Sequence, residues 1–180
     1  GSHDGGGLLE RYLDSLTQMG PFVFVTGSGN EGDSGGHARP VVSPGMITEI
    51  RLSVGTYETG FGMQIWKNYE DGMRIFLRDP SGDAEFELLP IRGTDRIWIG
   101  ETELLIYYGE PSPYSLVQEI YMDFLPVENY IDSGIWKIRL TPEKITEGRY
   151  DLWLPAREER NQDTYFYRPD PDTTLTIPST

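Results

Sequence analysis

Apolar residues near the start of the chain first recur at the spacing of one helix face and then run together without a break. The helical set lies just before Gly20, a residue that ends helices well, and comprises Leu8, Leu9, Tyr12, Leu13, Leu16 and Met19. The unbroken run occupies residues 22–25. Continuous apolar strands of this kind are typical of parallel sheets that are buried on both faces. The sequence therefore predicts a helix followed by a buried strand.

From about residue 48 the pattern changes to alternation of apolar and polar residues, which is typical of strands with one buried face. The alternation is clear at 50–54 and at 136–140, where it places Trp136 among the core residues. Turn sequences such as Asp71-Gly72 separate the alternating segments. About eight short strands at this spacing predict an antiparallel β-sandwich, with a jelly roll as the preferred topology.

Charge and composition exclude several classes of function. The chain has 29 acidic and 15 basic residues, so its surface repels phosphate backbones and we expect no nucleic-acid partner. It contains no run of about 18 apolar residues, and we expect no membrane span. The lack of cysteine excludes disulfides and thiolate zinc sites. No ordered pattern of cation ligands occurs, and we expect neither a metal nor a cofactor.

One local motif suggests nucleophilic chemistry but has a simpler interpretation. Gly32-Asp33-Ser34-Gly35-Gly36 matches the nucleophile loop of chymotrypsin-like peptidases, and His37 follows it directly. In that family the base and the acid come from a preceding barrel, which the short upstream segment cannot supply. We therefore interpret Ser34 as a solvated turn residue and His37 as a loop residue.

Other side chains suggest carbohydrate chemistry or a bound cation. Two acidic pairs could serve as glycosidase carboxylates or cation ligands, Asp79 with Asp83 and Glu85 with Glu87. We interpret them as solvated residues of turns and strand faces. Trp98 and Trp153 lie opposite the apolar positions of their strands. They are candidates for stacking on sugars or for contact with another domain.

A loop of small residues follows the predicted buried strand, with the sequence Gly27-Ser28-Gly29-Asn30-Glu31-Gly32. Helix, glycine, strand and loop together resemble one site in the subtilisin-like serine peptidases. The arrangement is similar in particular to the spore-germination (Csp-like) branch of bacterial subtilases, which carries a jelly-roll domain inside its catalytic domain. The β region resembles that branch at 134–140 and 148–155.

This resemblance implies roles for three loop residues. Asn30 would be the catalytic oxyanion-hole donor, and Gly27 and Gly29 would bind substrate by lining the pocket before the scissile bond. A preorganised amide of this kind lowers a barrier by about 3–4 kcal/mol. The Asp, His and Ser of a triad are not recognisable in the chain. The resemblance thus implies a fragment of a bacterial serine endopeptidase that acts on a peptide or protein and is inactive alone.

The resemblance also divides the chain into three parts. A partial catalytic domain would occupy 1–38, the inserted jelly-roll domain 39–171, and the return into the catalytic domain 172–180. The strand at 22–25 would then lack its neighbours. We expect it and the helix to pack on the β domain, to self-associate with another copy, or to be poorly ordered. The bacterial parent would be secreted or spore-associated, and residues 1–3 are either native or a cloning scar.

Three interpretations of function remain open from the residues alone. In the first, the β domain braces the catalytic core of a protease or mediates its contacts. In the second, the chain is a free-standing jelly-roll binding module, with carbohydrate as one ligand class, and its glycine-rich loop is accidental. In the third, it is a structural β domain of a catalytically dead homologue.

Overall fold

A computed structural model of the chain describes residues 7–21, 23–25, 33–91, 93–111, 113 and 115–167. Within these residues lie one α-helix, eleven β-strands and one short 3-10 helix at Arg157–Glu159. The bounds are α1 Leu8–Met19, β1 His37–Ala38, β2 Thr48–Val54, β3 Phe61–Asn68, β4 Gly72–Arg78, β5 Glu85–Leu88, β6 Gly93–Ile99, β7 Thr102–Tyr108, β8 Val117–Pro126, β9 Gly134–Lys144, β10 Tyr150–Trp153 and β11 Tyr165–Phe166.

The strands form two antiparallel sheets. One has six strands in the order β1-β10-β3-β8-β7-β6, and the other has five in the order β11-β2-β9-β4-β5. The pairings of β2 with β9 and of β3 with β8 are nested, as in the rolled ribbon of a jelly roll. Between them, β4 pairs with β5 and β6 with β7 as hairpins. The predicted antiparallel β-sandwich is confirmed.

The inner faces of the two sheets enclose one apolar core. Strand β3 shows the pattern, since Phe61, Met63 and Ile65 are buried and the residues between them are half-exposed. Trp136 of β9 is fully buried, and its indole N–H donates to the Asp132 carbonyl at 2.9 Å. That bond avoids the cost of an unpaired buried donor. The prediction that Trp136 belongs to the core is confirmed.

Helix α1 is the predicted helix, and Gly7 and Gly20 flank it. None of its residues is buried. In the part of the chain that the structure describes, neither α1 nor the 3-10 helix could span a membrane. Val23 and Val25 are 89% and 92% exposed, and residues 23–25 belong to no strand. Among the described residues, the expected packing of these segments into the β core is therefore not found. Most of their apolar side chains are exposed, and Leu13 and Leu16 are half-buried.

The two ends of the sandwich lie side by side. The Phe166 N–H donates to the Gly35 carbonyl at 2.8 Å, and the Leu154 N–H donates to the Gly36 carbonyl at 2.8 Å. Gly35 has a φ of 66°, and a Cβ added there would lie 3.0 Å from Tyr165 Cβ. Only glycine fits this close approach without strain. The chain thus enters and leaves the sandwich at one place.

Candidate functional site

The predicted oxyanion loop lies outside the described residues. Gly27, Gly29 and Asn30 all fall within 26–32. The expected return at 172–180 lies outside them as well, so the roles and the domain boundaries stay predictions. The structure does describe the turn that follows the loop, at 33–36, and the strand β1 into which that turn leads.

Ser34 lies in this turn, as predicted, but it is half-buried rather than solvated. Its Oγ accepts a hydrogen bond from the Gly36 N–H at 3.3 Å, and its carbonyl accepts one from Arg160 Nη2 at 3.2 Å. These contacts are those of a side chain that shapes its own turn. They provide no general base for the hydroxyl, in agreement with the interpretation of Ser34 as a turn residue.

His37 is a strand residue, so its interpretation as a loop residue is wrong. It is 6% exposed, and its Nε2 lies 2.8 Å from Asp151 Oδ1. Because a carboxylate only accepts, this nitrogen is the donor. The pairing of β1 with β10 sets His37 opposite Trp153, and the two rings stack with centroids 3.8 Å apart. No alternation marks β1 in the sequence, because the strand has only two residues and both His37 and Ala38 are buried.

Asp151 is the centre of a charged cluster at this sheet edge. Besides His37, it accepts hydrogen bonds from Arg39 Nε at 2.6 Å and from Arg149 Nε at 3.2 Å. Burial by itself would raise the pKa of the carboxyl. The hydrogen bonds from His37 and Arg39 and the charges of both arginines outweigh burial and lower this pKa to about 2. The carboxylate is therefore ionised at neutral pH and ties β1 to β10.

A second buried charge lies at the end of β3. Lys67 is 3% exposed, and its Nζ donates to the carbonyls of Asn68 at 3.0 Å and Asp71 at 2.7 Å. Burial lowers the pKa of Lys67 to about 8, although the Asp71 charge opposes the shift. The Asp71 carboxylate accepts the N–H groups of residues 146–148, which outweigh its burial and lower its pKa. This pair holds the β9–β10 turn against β3.

The acidic pairs do not form paired-carboxylate sites. Both oxygens of Glu87 accept from Arg74 at 2.7 Å, and Glu85 accepts from Arg139 at 2.7 Å. Asp79 accepts the Ala84 N–H at 2.9 Å and thereby closes a turn. These are contacts of strand-face and turn residues, as predicted. Within the described part of the chain, no group of three or more His, Asp or Glu side chains could hold a metal ion.

The outer face of the six-stranded sheet carries aromatic side chains. The register places Trp153, Gln64 and Tyr121 in one row across β10, β3 and β8. Trp66 lies two residues along β3, and its indole N–H donates to Gln64 Oε1 at 3.3 Å. Trp98 is 57% exposed near the far edge of the same sheet. Of the two predicted stacking candidates, Trp98 is thus open and Trp153 is half-buried against His37.

Two cavities follow one another along this face, and we call them together the outer groove. The first has a volume of about 320 Å³ and is lined by Gly62, Gln64, Tyr121, Trp153, Leu154, Pro155 and Glu159, with Phe61 below. The second has a volume of about 290 Å³ and is lined by Trp66, Lys67, Asn68, Leu116, Val117, Glu147, Arg149 and Asp151. Neighbouring positions of β3 and β10 line both cavities. The groove was missed in the sequence because it depends on the order of strands far apart in the chain.

Comparison with known proteins relates the chain to a solved protease structure. No family model matches the chain, and no curated protein matches it. Among solved structures, the chain is similar to the CspB protease of Clostridium perfringens, with a TM-score of 0.79 and 27% sequence identity. The chain is related to a Csp-like protease. The resemblance predicted from the sequence is confirmed at this level.

The similarity to CspB extends beyond the sandwich. It covers 98% of this chain, whereas residues 33–167 make up only 135 of the 180 residues. The matched region therefore includes sequence on the helical side of the turn at 33–36. In the other direction it covers 38% of the CspB chain, so this chain spans less than half the length of that protein.

Proposed function

We propose that the chain is part of a subtilisin-like serine endopeptidase of the Csp-like branch. The observation that carries the proposal is the similarity to the CspB protease, which extends over 98% of the chain. Asn30 is the oxyanion donor, and Gly27 and Gly29 line the pocket for the side chain before the scissile bond. The catalytic Asp, His and Ser come from the rest of a longer protein, so the chain alone is inactive.

The sandwich is, on this proposal, an insertion into the catalytic domain, with boundaries at 39 and 171. The hydrogen bond between Phe166 and Gly35 supports this, because it brings the two ends of the sandwich together. A domain whose ends meet can be inserted into a host fold without separating the host segments. The exposed apolar side chains of α1 and of residues 23–25 then face the remainder of the catalytic domain.

The role of the insert is to brace the catalytic domain around its oxyanion loop. Only a few residues separate Asn30 from the turn at 33–36, whose carbonyls accept hydrogen bonds from Leu154 and Phe166. The sandwich thus fixes the downstream end of the loop. Such support maintains a donor in the position where the oxyanion forms, which is the requirement for electrostatic stabilisation of that state.

The decisive experiment changes Asn30 in the longer protein that the proposal implies. Asn30→Ala should lower kcat for a peptide substrate by about 10²–10³-fold with little change in KM, because the amide acts on the oxyanion. Asn129→Ala is the matched control, since Asn129 is exposed on the β8–β9 connection. An unchanged kcat in Asn30→Ala would refute the assignment. A fluorophosphonate probe should leave the 180-residue chain unlabelled, and labelling of Ser34 would refute the proposal.

A further inference from the structure

The outer groove combines flat aromatic walls with polar groups that find no partner in the part of the chain that the structure describes. Gln64 Oε1 accepts from Trp66, which turns the two N–H donors of the same amide away from that contact. Among the described residues, these donors and the Glu159 carboxylate have no recorded protein partner. The groove therefore presents Gln64 as a donor and Glu159 as an acceptor beside the rings of Tyr121 and Trp153.

The aromatic walls are held in place before any ligand arrives. Tyr121 lies across Gly62, where an added Cβ would clash with the phenol, and its hydroxyl donates to Asp123 Oδ1 at 2.8 Å. Trp153 is fixed by its stack on His37, with ring planes 13° apart. Rings that are already immobilised lose little entropy when a ligand binds.

The length of the groove matches a chain molecule rather than a single small ligand. Its lining runs along β3 from Gly62 to Asn68, which at about 3.3 Å per residue is roughly 20 Å. The two cavities lie on either side of the contact between Gln64 and Trp66. A ligand with two or more similar units could therefore place one unit in each cavity.

We propose that the outer groove binds a neutral glycan chain. A pyranose ring has an apolar face of C–H groups, which stacks on an aromatic ring, and a rim of hydroxyls that both donate and accept hydrogen bonds. Tyr121 and Trp153 offer the first kind of contact, and Gln64 and Glu159 the second. This site does not depend on the proposed protease function, because it involves only residues of the sandwich.

Two other ligand classes fit the groove less well. A polyanion would meet Glu159 in the first cavity and Glu147 in the second, where Arg149 is already paired with Asp151, on a protein with a net charge of −14. An extended peptide gains affinity mainly by adding main-chain hydrogen bonds at an open sheet edge. The groove instead runs along β3 on the face that β3 shares with β10 and β8, and the backbone groups of these strands are engaged in the ladders of the sheet.

The test is titration of the 180-residue chain with neutral hexasaccharides, followed by calorimetry and tryptophan fluorescence. The probes are β-1,4-linked glucose, β-1,4-linked N-acetylglucosamine and α-1,4-linked glucose, with a sulfated hexasaccharide and a proline-rich peptide as contrasts. At least one neutral probe should bind, and Tyr121→Ala and Trp153→Ala should each weaken binding by about tenfold or more. Gln64→Met keeps the side-chain volume, removes the donors and should weaken binding by about fivefold.

The matched control is Trp98→Ala, which removes an exposed tryptophan from the same sheet outside the groove. It should leave the affinity unchanged, and thermal unfolding should show that all variants are folded. The proposal is overturned if no neutral hexasaccharide binds, or if Trp98→Ala weakens binding as much as Tyr121→Ala. Binding of the peptide or the sulfated probe with loss in Trp153→Ala would assign the groove to that ligand class instead.

Discussion

His37 Nε2 donates to Asp151 Oδ1 at 2.8 Å, although 114 residues separate the two in the chain. This contact joins β1, the first strand after the predicted oxyanion loop, to β10, the last strand of the same sheet in chain order. Arg39 and Arg149 bind the same carboxylate at the edge where the chain enters the sandwich, so one anion serves two cations. Removal of this anion would take a counterion from the half-buried Arg39 and the exposed Arg149, and would take an acceptor from the buried Nε2 of His37.

The Asp151 carboxylate should make the chain sensitive to acid. Its pKa is lowered from 3.8 to about 2 in the folded state, so its contribution is present in full above pH 4 and is lost as the pH falls from about 4 to 2. Asp151→Asn should cost roughly 3 kcal/mol at pH 7 and should flatten the loss of stability between pH 4 and 2. Urea unfolding at several pH values measures both effects.

The control for that experiment is Asp83→Asn, because Asp83 is exposed and its side chain makes no recorded contact within the described residues. It should change the unfolding free energy by less than about 0.5 kcal/mol at every pH. If Asp151→Asn showed the same acid dependence as the unmodified chain, the contacts with His37 and Arg39 would not be lowering the pKa of the Asp151 carboxyl.

Lys67 should give a pH dependence of the same sign at the alkaline end, because its pKa is also lowered on folding. Its pKa falls from 10.5 to about 8 on folding, so the unfolded chain binds the extra proton between these values. Stability should therefore rise with pH in that window, by about 2 kcal/mol between pH 7.5 and 9.5 from this residue. Lys67→Met removes the titrating group, and the difference between the two unfolding curves isolates its contribution.

Lys144→Met provides the comparison, since Lys144 is an exposed residue at the end of β9. It should unfold with the pH profile of the unmodified chain. A parallel profile for Lys67→Met and the unmodified chain would show that Lys67 keeps an ordinary pKa in the folded state. In that case water would reach the Lys67 ammonium group, although the structure shows this side chain as buried.

The elements of the fold could be read from local pattern, but their pairing could not. Alternation identified β2 and β9 and placed Trp136 in the core, because the period of two depends only on which face is buried. Nothing local indicated that β1 pairs with β10, a contact made across most of the chain. For that reason His37 was interpreted as a loop residue and its bond to Asp151 was missed.

The candidate site shows the same division. Asn30 was identified from a motif and remains a prediction. The outer groove was not identified, although Trp66, Tyr121 and Trp153 all occupy polar-face positions of alternating segments. Their neighbourhood arises only when β10, β3 and β8 align in one sheet. An unusual number of aromatic residues on the polar side of strands is the signal that could have pointed to it.

The core prediction for Trp136 has a direct test. Trp136→Ala should destabilise the sandwich by about 3–5 kcal/mol, because it removes a fully buried ring. This ring contacts that of Phe124 edge-on, with ring centroids 5.5 Å apart. Trp98→Ala, at a position that is 57% exposed, should cost less than about 1 kcal/mol. Denaturant unfolding followed by far-UV circular dichroism compares the two. Equal costs would contradict the placement of Trp136 between the sheets.

Gly35 should be the glycine that holds the two ends of the sandwich together. Gly35→Ala places a Cβ 3.0 Å from Tyr165 Cβ at a φ of 66°, so it adds a steric clash to left-handed strain. Gly45 has a φ of 76° and no atom within 4 Å of an added Cβ, so Gly45→Ala measures the strain alone, about 1–2 kcal/mol. The loss of unfolding free energy in Gly35→Ala should exceed that in Gly45→Ala by roughly 1 kcal/mol in urea unfolding.

Hydrogen exchange should also show faster exchange of the Phe166 amide in Gly35→Ala than in Gly45→Ala, because the clash displaces β11 from the Gly35 carbonyl. Equal unfolding energies with a protected Phe166 amide would mean that the ends are joined by other contacts.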